Sequence, residues 1–405
     1  MKTLTFFSNY YNHHQKALCE AFYELLGDGF TFVETMPMEG FRSEMGWGEG
    51  DRPYLLKTYL SEENHKRGLE LGLNSDLVIM GTAPEEFIEE RLKENRITFR
   101  YSERPLKEGF IKFFIPRLTK KYLHIHVKNR KKPIYILGAS AFTSLDYKKM
   151  FKSYNNKCYK FGYFPEHKVY DIDELMKKKE ELAGGKPTIL WMGRMLKLKH
   201  PELVVKALSQ LKAEGYDFSL KIVGEGEMRG KVEKLIDKGG LKSVTSMCDF
   251  LKPDEARDVM SEAQIYVMTS NKLEGWGSVI YEALNAGCAE VASHICGATP
   301  WLIKDGTTGL IFKSESVKSL KEQLKKLLDS KELTESLGRC AYENMHEFWN
   351  PEEAAKRVIG LYEYINDELS KMSEEEKNSR GYAVEGCPYE DGPCSVAEYL
   401  KNDWI

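Results

Sequence analysis

The chain contains 405 residues, of which 42% are hydrophobic and 30% are charged, and its formal net charge at pH 7 is -3. This length is greater than one hydrophobic core usually organises, so we expect two domains. The nearly balanced charge excludes a global electrostatic field that would attract nucleic acid, and we expect no nucleic-acid partner.

The N-terminal residues and the cysteines indicate a cytoplasmic protein. MKTLTFFSNYYNHHQ lacks the longer apolar core and the small-residue cleavage site of a signal peptide. The sequence contains no run of about eighteen apolar residues, so no membrane-spanning helix is expected. The eight cysteines form no CxxC pair, which predicts free thiols in a reducing compartment. A local disulfide or metal site at Cys387 and Cys394 is the less favoured alternative.

Short apolar strands alternate with amphipathic helices through the first half of the chain. The predicted strands are TLTFF, FTFVET, SDLVIMG, ITFRYSE, PIYILGAS and KCYKFGYFP. The predicted helices between them include residues 15–26, SEENHKRGLELGL and EEFIEERLKEN. Strands separated by helices predict parallel pairing through right-handed crossovers. Residues 1–165 are therefore predicted to form one doubly wound α/β domain.

The same alternation restarts after a polar segment. Residues 166–187 are charged and interrupted by glycine and proline, which predicts an interdomain connection containing a helix. The predicted strands that follow are TILWMGR, FSLKIVG, a short one near 244–251, QIYVMTS, AEVAS and GLIF, with helices between them. They predict a second doubly wound α/β domain over residues 188–345.

The C-terminal residues are predicted to lie outside both alternating patterns. Residues 346–371 begin with an Asn-Pro helix start and are strongly helical, and we expect this helix to pack back toward the first domain. Residues 372–405 form a tail extension, either a small appended lobe or a segment that docks on the body or on another subunit.

Two tandem domains of this kind predict a ligand site, because ligands bind beyond the carboxyl ends of parallel strands. The stretch GRMLKLK follows the first strand of the second domain and places Arg194 and Lys199 there. A planar guanidinium fork and a point-charge ammonium suit a pyrophosphate. Solvated surface charge is the alternative.

A second strand-to-helix loop, IVGEGEMRG, brings Gly224 and Glu225 to the same edge of the sheet. Small residues let the backbone approach a ligand closely, although a plain tight turn explains the pattern equally well.

The most informative stretch is EGWGSVIYEALNAG, which begins at Glu274. Gly275 and Gly277 free the backbone, and the following helix presents unpaired N–H groups that favour phosphate. Glu282 lies one turn after Ser278 on the same side of this helix, where it can reach ligand hydroxyls. An exposed helix carboxylate is the alternative, but the flanking residues are mostly apolar.

Together with GATPWLIKDGTTGLIF, these motifs resemble those of retaining glycosyltransferases with the GT-B fold, family 4 in particular. The strong resemblance covers about residues 187–345. It implies two Rossmann-like domains facing a central cleft, the first binding a sugar acceptor and the second a nucleotide-diphospho-sugar, with UDP as the expected nucleotide. It also implies retention of configuration and no need for a metal or other cofactor.

The resemblance assigns roles to individual residues. The residue matching Glu282 holds the ribose hydroxyls, and the residue matching Glu274 contacts hydroxyls of the donor sugar. Arg194 and Lys199 match the cations that neutralise the diphosphate leaving group. The remaining donor-site positions are the backbone of Trp276, Gly277 and Ser278 at the distal phosphate, and the chain at Phe250 and Leu251 beside the base. Trp276 either packs the loop or shapes the sugar pocket.

The first half departs further from the family pattern. Its first loop carries Asn12, His13 and His14 in SNYYNHHQ, which suit recognition of an acceptor sugar. A helix cap with exposed histidines is an equal alternative. Many relatives place a histidine where this chain has SERP, so Glu103 or Arg104 is expected to serve the acceptor or donor instead.

Two other patterns receive less specific interpretations. Asp171 and Asp173 form a DxD that lies in the predicted connection, and we interpret it as a chance match and not a metal site. Residues Arg117–Lys132 carry seven cations and no acid, interleaved with apolar residues. A solvated helix face is the favoured explanation, and peripheral contact with anionic lipid on the inner face of the membrane is the alternative.

The sequence therefore predicts a glycosyltransferase that acts on a glycan or lipid-linked acceptor in surface polysaccharide or glycoconjugate synthesis. A nucleotide-sugar epimerase or a phosphorylase on the same scaffold is the first alternative. A non-catalytic subunit that stabilises a partner glycosyltransferase is the second.

Overall fold

The computed structural model describes residues 1–38, 40 and 50–405. The chain divides into two compact units, each described separately below. The first unit contains Met1–Glu166 and Asn350–Lys401, and the second contains His167–Trp349 and Asn402–Ile405.

The first unit is built on a parallel sheet with the strand order β3-β2-β1-β4-β5-β6-β7. Its strands are β1 Leu4–Ser8, β2 Phe30–Glu34, β3 Leu55–Lys57, β4 Leu77–Met80, β5 Thr98–Ser102, β6 Ile134–Gly138 and β7 Cys158–Lys160. Its helices up to β7 are α1 His13–Leu26, α2 Glu62–Asn74, α3 Glu86–Lys93, α4 Pro116–Tyr122 and α5 Thr143–Lys149.

The second unit is built on a parallel sheet with the strand order β10-β9-β8-β11-β12-β13. Its strands are β8 Thr188–Met192, β9 Ser219–Val223, β10 Thr245–Cys248, β11 Ile265–Met268, β12 Ala289–Ser293 and β13 Leu310–Phe312. Its helices are α6 Ile172–Ala183, α7 Pro201–Ala213, α8 Arg229–Lys238, α9 Pro253–Glu262, α10 Ser278–Asn285, α11 Thr299–Leu302, α12 Val317–Asp329 and α13 Lys331–Glu347.

Both sheets confirm the predicted parallel pairing. β1 pairs with β2 and β4, and β8 pairs with β9 and β11, each in parallel register. The central strands are apolar on both faces because helices cover both sides of a doubly wound sheet. In the second unit the core forms around Trp191, Leu208 and Val267, which are almost completely buried. The three-residue edge strand β3 was not predicted, because its residues are only half-buried and give no alternating pattern.

Two further helices, α14 Pro351–Ser370 and α15 Glu374–Arg380, return to the first unit. Asn350 caps α14 by accepting a hydrogen bond from the backbone N–H of Glu353 at 2.7 Å. α14 packs against α1, so the helix predicted over 346–371 contacts the unit formed by the N-terminal residues. None of the described helices is long and apolar enough to cross a membrane.

The tail beyond α15 extends the first sheet. The backbone N–H of Lys160 on β7 donates to the Ser395 carbonyl at 2.7 Å, and Val396 forms an antiparallel bridge with Tyr159. This pairing covers the exposed edge of β7, which would otherwise present unpaired backbone groups. Cys387 and Cys394 are free thiols, so the local disulfide considered for them does not form.

The segment predicted as an interdomain connection has its own structure. α6 begins at Ile172, and Asp171 caps it by accepting hydrogen bonds from the backbone N–H groups of Asp173 and Glu174. Asp173 forms an ion pair with Arg339, also in the second unit. The DxD pattern is therefore explained by a helix cap and an ion pair.

An acidic side chain lies within the core of the second unit. Glu290 is on β12 opposite Tyr266 of β11 and is fully buried. Neither of its carboxyl oxygens has a hydrogen-bond partner among the described residues. Burial raises the pKa of the Glu290 carboxyl well above its ordinary value, because an ionised carboxylate would lose its hydration there. The folded state therefore holds this group as a neutral acid.

We predict that Glu290→Gln will become more stable relative to the wild type as the pH rises. The unfolded carboxyl releases its proton near the ordinary value of 4.5, whereas the folded carboxyl retains it. Protonation of Glu290 contributes fully to the free energy of unfolding below about pH 4.5. Above that pH the contribution falls by about 1.4 kcal/mol per pH unit until the pH reaches the pKa of the folded carboxyl. Urea unfolding followed by tryptophan fluorescence, from about pH 5 to about pH 8, measures this difference.

The amide variant cannot titrate, so only the wild type should lose stability through this group. Parallel pH profiles for the two proteins would show that Glu290 is already ionised in the folded state.

Candidate functional site in the second unit

The order of the second sheet reverses between β8 and β11. The chain adds strands on one side of β8 and then crosses to add β11, β12 and β13 on the other. Ligands of open α/β sheets bind beyond the carboxyl ends of the strands at this reversal. The loops after β8 and β11 carry Arg194, Lys199 and Glu274, so the predicted catalytic residues lie at this position.

Hydrogen bonds join these two loops. Thr269, which follows β11, donates its hydroxyl to the Lys199 carbonyl at 2.6 Å. The backbone N–H of Asn271 donates to the Leu198 carbonyl at 2.9 Å. His200 has a φ of 48°, a left-handed conformation that is uncommon for a residue with a side chain, immediately before α7. The position of Lys199 is therefore set by bonds on the main chain around it.

The ammonium of Lys199 lies 2.5 Å from Oε2 of Glu274. The two side chains are only 16% and 14% exposed, so the pair is held in a partly desolvated site. Arg194 lies on the same loop as Lys199 with an exposed side chain. The arrangement places one fixed cation, one more exposed cation and one carboxylate at the sheet reversal.

The VGEG turn supports the Arg194 loop through backbone packing. A Cβ at Gly224 would lie 2.1 Å from the Gly193 carbonyl oxygen, and one at Gly226 would lie 2.7 Å from that of Met195. The backbone N–H of Met195 donates to the Glu225 carbonyl at 2.6 Å. These glycines therefore allow two loops of the protein to approach each other, and direct donor contacts by Gly224 and Glu225 stay a prediction.

α10 begins at Ser278, as predicted, with its N-terminus at the same edge of the sheet. Gly277 has a φ of 90°, and a Cβ there would lie 2.7 Å from Sγ of Cys296 and 3.0 Å from Cε of Met268. Only glycine fits both this conformation and this space. The first N–H groups of α10 have no intrahelical partner, and they carry the positive end of the helix dipole.

The structure shows how Trp276 is used. The side chain is 2% exposed, and its ring packs against Trp301 with centroids 6.0 Å apart. Its carbonyl accepts a hydrogen bond from the backbone N–H of Ala298 at 3.0 Å. Trp276 therefore packs the loop against Trp301, which is one of the two alternatives that the sequence left open.

Glu282 has a cationic neighbour that the sequence did not indicate. Arg257 on α9 places Nη1 at 3.7 Å from Oε1 of Glu282, and both side chains are about one-tenth exposed. Arg257 also forms an ion pair with Asp254 one turn earlier. Nothing in the sequence around Arg257 indicates the contact with Glu282, which depends on the packing of α9 on α10.

Phe250 and Leu251 follow β10, the edge strand of the second sheet. Phe250 is exposed and Leu251 is partly exposed, so their side chains are accessible at the carboxyl end of the sheet. Their role beside a nucleobase stays a prediction.

The acceptor candidates Asn12, His13 and His14 follow β1, at the reversal of the first sheet between β1 and β4. Asn12 caps α1 by accepting the backbone N–H of His14 at 2.9 Å. The His13 and His14 rings lie 3.9 Å apart, and burial, followed by the neighbouring His13, lowers the pKa of His14 to about 3. Asn12 therefore caps a helix, as the alternative to acceptor binding predicted. The same alternative predicted exposed histidines, whereas His13 and His14 are partly buried.

Glu103 and Arg104, which were considered together, separate in the structure. Glu103 accepts a hydrogen bond from the Tyr163 hydroxyl at 2.9 Å, and the Tyr163 ring lies 6.0 Å from that of His14. Arg104 instead forms an interior ion pair with Asp146 at 3.2 Å, with both side chains nearly inaccessible. Glu103 thus stays a candidate for acceptor contact, whereas the geometry of Arg104 supports a structural role.

Comparison with known proteins addresses the second unit most directly. Residues 172–344 match the family model for glycosyl transferases group 1. The alpha-D-kanosaminyltransferase of Streptomyces kanamyceticus is 26% identical over 213 residues, which are 52% of this chain and 55% of that protein. Spore coat protein SA of Bacillus subtilis is 27% identical over 186 residues, 44% of this chain and 49% of that protein. The chain thus spans about half the length of these curated relatives.

Solved structures share the fold over a larger part of the chain. The crystal structure of Anabaena HepE in complex with UDP superposes with a TM-score of 0.62 at 12% identity, covering 92% of this chain and 100% of that one. The two parallel-sheet units have the GT-B fold, as the resemblance implied. Lys199, Glu274 and Glu282 all lie within the segment that the family model matches, so the second unit is similar to the group 1 glycosyltransferases at the candidate site.

Proposed function

We propose that this protein is a retaining glycosyltransferase that transfers a sugar from a UDP-linked nucleotide-diphospho-sugar to a glycan or lipid-linked acceptor. The observation that carries the proposal is the Lys199–Glu274 pair, 2.5 Å apart at the reversal of the second sheet. A cation beside a helix N-terminus suits a diphosphate, and an adjacent carboxylate suits sugar hydroxyls. HepE, which shares the fold, was crystallised with UDP, and this supports UDP-linked sugars as the first donors to test.

In this proposal the diphosphate binds where positive charge is fixed. Lys199, Arg194 and the first N–H groups of α10 would neutralise its oxygens, so no step requires a metal. Glu282, held beside Arg257, would accept hydrogen bonds from the ribose hydroxyls, and Phe250 with Leu251 would contact the base.

The proposed reaction breaks the bond between the sugar C1 and the distal phosphate oxygen and forms a bond between C1 and an acceptor hydroxyl oxygen. The acceptor proton passes to the departing phosphate, so nucleoside diphosphate and glycoside are the products. Attack from the face that the phosphate leaves retains the configuration at C1. The protein would then contribute positioning and charge stabilisation more than a separate base.

The acceptor would be recognised by the first unit through His13, His14 and Glu103. Neutral imidazole at His14 can accept or donate hydrogen bonds to sugar hydroxyls, because its lowered pKa keeps it uncharged near neutral pH. Surface polysaccharide or glycoconjugate synthesis is the process that this acceptor class implies.

A donor screen tests the proposal. The protein is incubated without phosphate with UDP-, GDP-, ADP- and dTDP-linked sugars, and released nucleoside diphosphate is measured by mass spectrometry. Release from at least one donor, slow without acceptor and faster with a glycan mixture, is expected. Release that requires added phosphate would indicate a phosphorylase. Interconversion of the donor sugar would indicate an epimerase. A protein that neither releases nucleoside diphosphate nor binds any of the donors would be a non-catalytic subunit.

We predict different effects for the two glutamates. Glu282→Ala should weaken binding of the nucleoside diphosphate by about 10- to 150-fold, since a charge-assisted hydrogen bond is lost. Glu274→Ala should lower the turnover number more than it lowers nucleotide affinity, because its partner is the donor sugar. Calorimetry and initial rates measure the two effects, with the exposed Glu343→Ala as the matched control. Unchanged affinity in Glu282→Ala would remove it from the donor site.

Arg257 and Glu282 should act as a unit. Arg257→Met removes the cation beside the Glu282 carboxylate and should also weaken nucleotide binding. The double variant Arg257→Met with Glu282→Gln should lose less binding free energy for the nucleotide than the two single variants lose together, because the two charges are neighbours. Strict additivity in calorimetry would show that Arg257 does not position Glu282.

We further predict that Gly277→Ala will weaken nucleotide binding and stability together. The new Cβ conflicts with Cys296 and Met268 and occupies a left-handed conformation, so the start of α10 must move. Gly230→Ala on α8 is the control, since its Cβ would meet no atom within 4 Å. A Gly277→Ala variant with wild-type affinity and wild-type thermal unfolding would contradict the proposed phosphate site.

A further inference from the structure

One surface of the first unit exposes large apolar side chains among lysines and arginines. We name it the Phe114 surface and define it by the exposed residues Phe110, Ile111, Phe114, Ile115, Leu123 and Phe151. Phe114 is 84% exposed and Ile111 is 64% exposed. Contiguous exposed apolar groups of this size mark interaction sites in proteins.

The Phe114 surface has an anchored inner side. Phe113 stacks on Tyr122 of α4 with ring centroids 5.5 Å apart, and its ring also lies near those of Phe110 and Phe151. Tyr122 in turn contacts the buried His126, whose Nδ1 lies 3.1 Å from the Tyr154 hydroxyl. Phe110 and Phe151 of the Phe114 surface are therefore attached to a packed aromatic layer.

Phe151 is held outward by unusual backbone geometry. Phe151 and Lys152 have φ values of 59° and 54°, in the left-handed region that residues with a side chain rarely adopt. Such a conformation persists only where surrounding structure holds it. Here it presents a phenyl ring to solvent, flanked by the exposed Lys149 and Lys152.

The segment that carries most of this surface is positively charged, although the exposed Glu108 immediately precedes it. Residues 109–132 contain eight lysines and arginines and no aspartate or glutamate, although the whole chain is slightly acidic. Arg117, Lys120 and Lys121 lie on α4 with exposed side chains. Aliphatic and phenyl groups bordered by cations match a bilayer surface, where apolar groups enter the acyl boundary and cations meet anionic headgroups.

We propose that the Phe114 surface docks on an anionic lipid bilayer. Nucleic acid is the weaker match for the same cations, because exposed isoleucine and leucine offer nothing to phosphate or sugar. The proposal adds a location to the donor chemistry and does not depend on it, since vesicle binding and nucleotide binding are measured separately.

Flotation of the full chain with vesicles tests the proposal. The wild type should float with phosphatidylcholine–phosphatidylglycerol vesicles and remain unbound with phosphatidylcholine alone, and added salt should weaken its binding. Ile111→Asp with Phe114→Asp should abolish flotation. Lys120→Glu with Lys121→Glu should weaken the partition by about 30-fold or more, since two cations near the headgroups are lost.

Two matched controls separate this effect from general damage. Leu60→Asp changes another exposed apolar residue of the first unit, and Lys177→Glu with Lys178→Glu changes another exposed lysine pair, on α6. Both controls should float like the wild type, and all variants should keep its thermal unfolding temperature. Wild-type flotation of the Phe114-surface variants would overturn the proposal. A wild-type dimer that these variants dissociate, or oligonucleotide binding without vesicle binding, would overturn it in favour of another partner.

Discussion

The proposed donor site depends on the ion pair between Lys199 and Glu274. It connects the loops that follow β8 and β11, the two strands between which the second sheet reverses. A mostly buried ion pair gains less than its Coulomb attraction suggests, because both groups lose hydration. A bound diphosphate would offer Lys199 a stronger partner and would release the Glu274 carboxylate to the hydroxyls of the donor sugar. Before the donor binds, the carboxylate of Glu274 would therefore neutralise the ammonium of Lys199.

The surrounding residues explain why this pair can form. Gly224 and Gly226 let the loop after β9 pack on the loop after β8. Thr269 and Asn271, which follow β11, donate hydrogen bonds to the same loop after β8. Gly277 lets α10 begin close to Cys296. Each of these features fixes backbone, so the charged side chains extend from a rigid frame and lose little freedom when a ligand binds.

The sequence predicted those features that depend on local pattern and chain order. Parallel sheets followed from alternating strands and helices, and the start of α10 followed from its two preceding glycines. Features that depend on packing between distant segments were missed: Arg257 reaches Glu282 only because α9 packs on α10, and the tail pairs with β7 through backbone groups that any residue carries. The ion pair of Arg104 was missed for the same reason, since its partner Asp146 lies 42 residues later and nothing in SERP indicates it.

The central claim is that the Lys199–Glu274 site receives the diphosphate of a nucleotide sugar. A crystal structure of the full chain with UDP tests it most directly. We expect diphosphate oxygens within hydrogen-bond distance of Lys199 and the first N–H groups of α10, with the ribose on Glu282 and the Lys199–Glu274 contact lengthened. UDP bound elsewhere, with that contact intact, would show that this site does not receive the diphosphate.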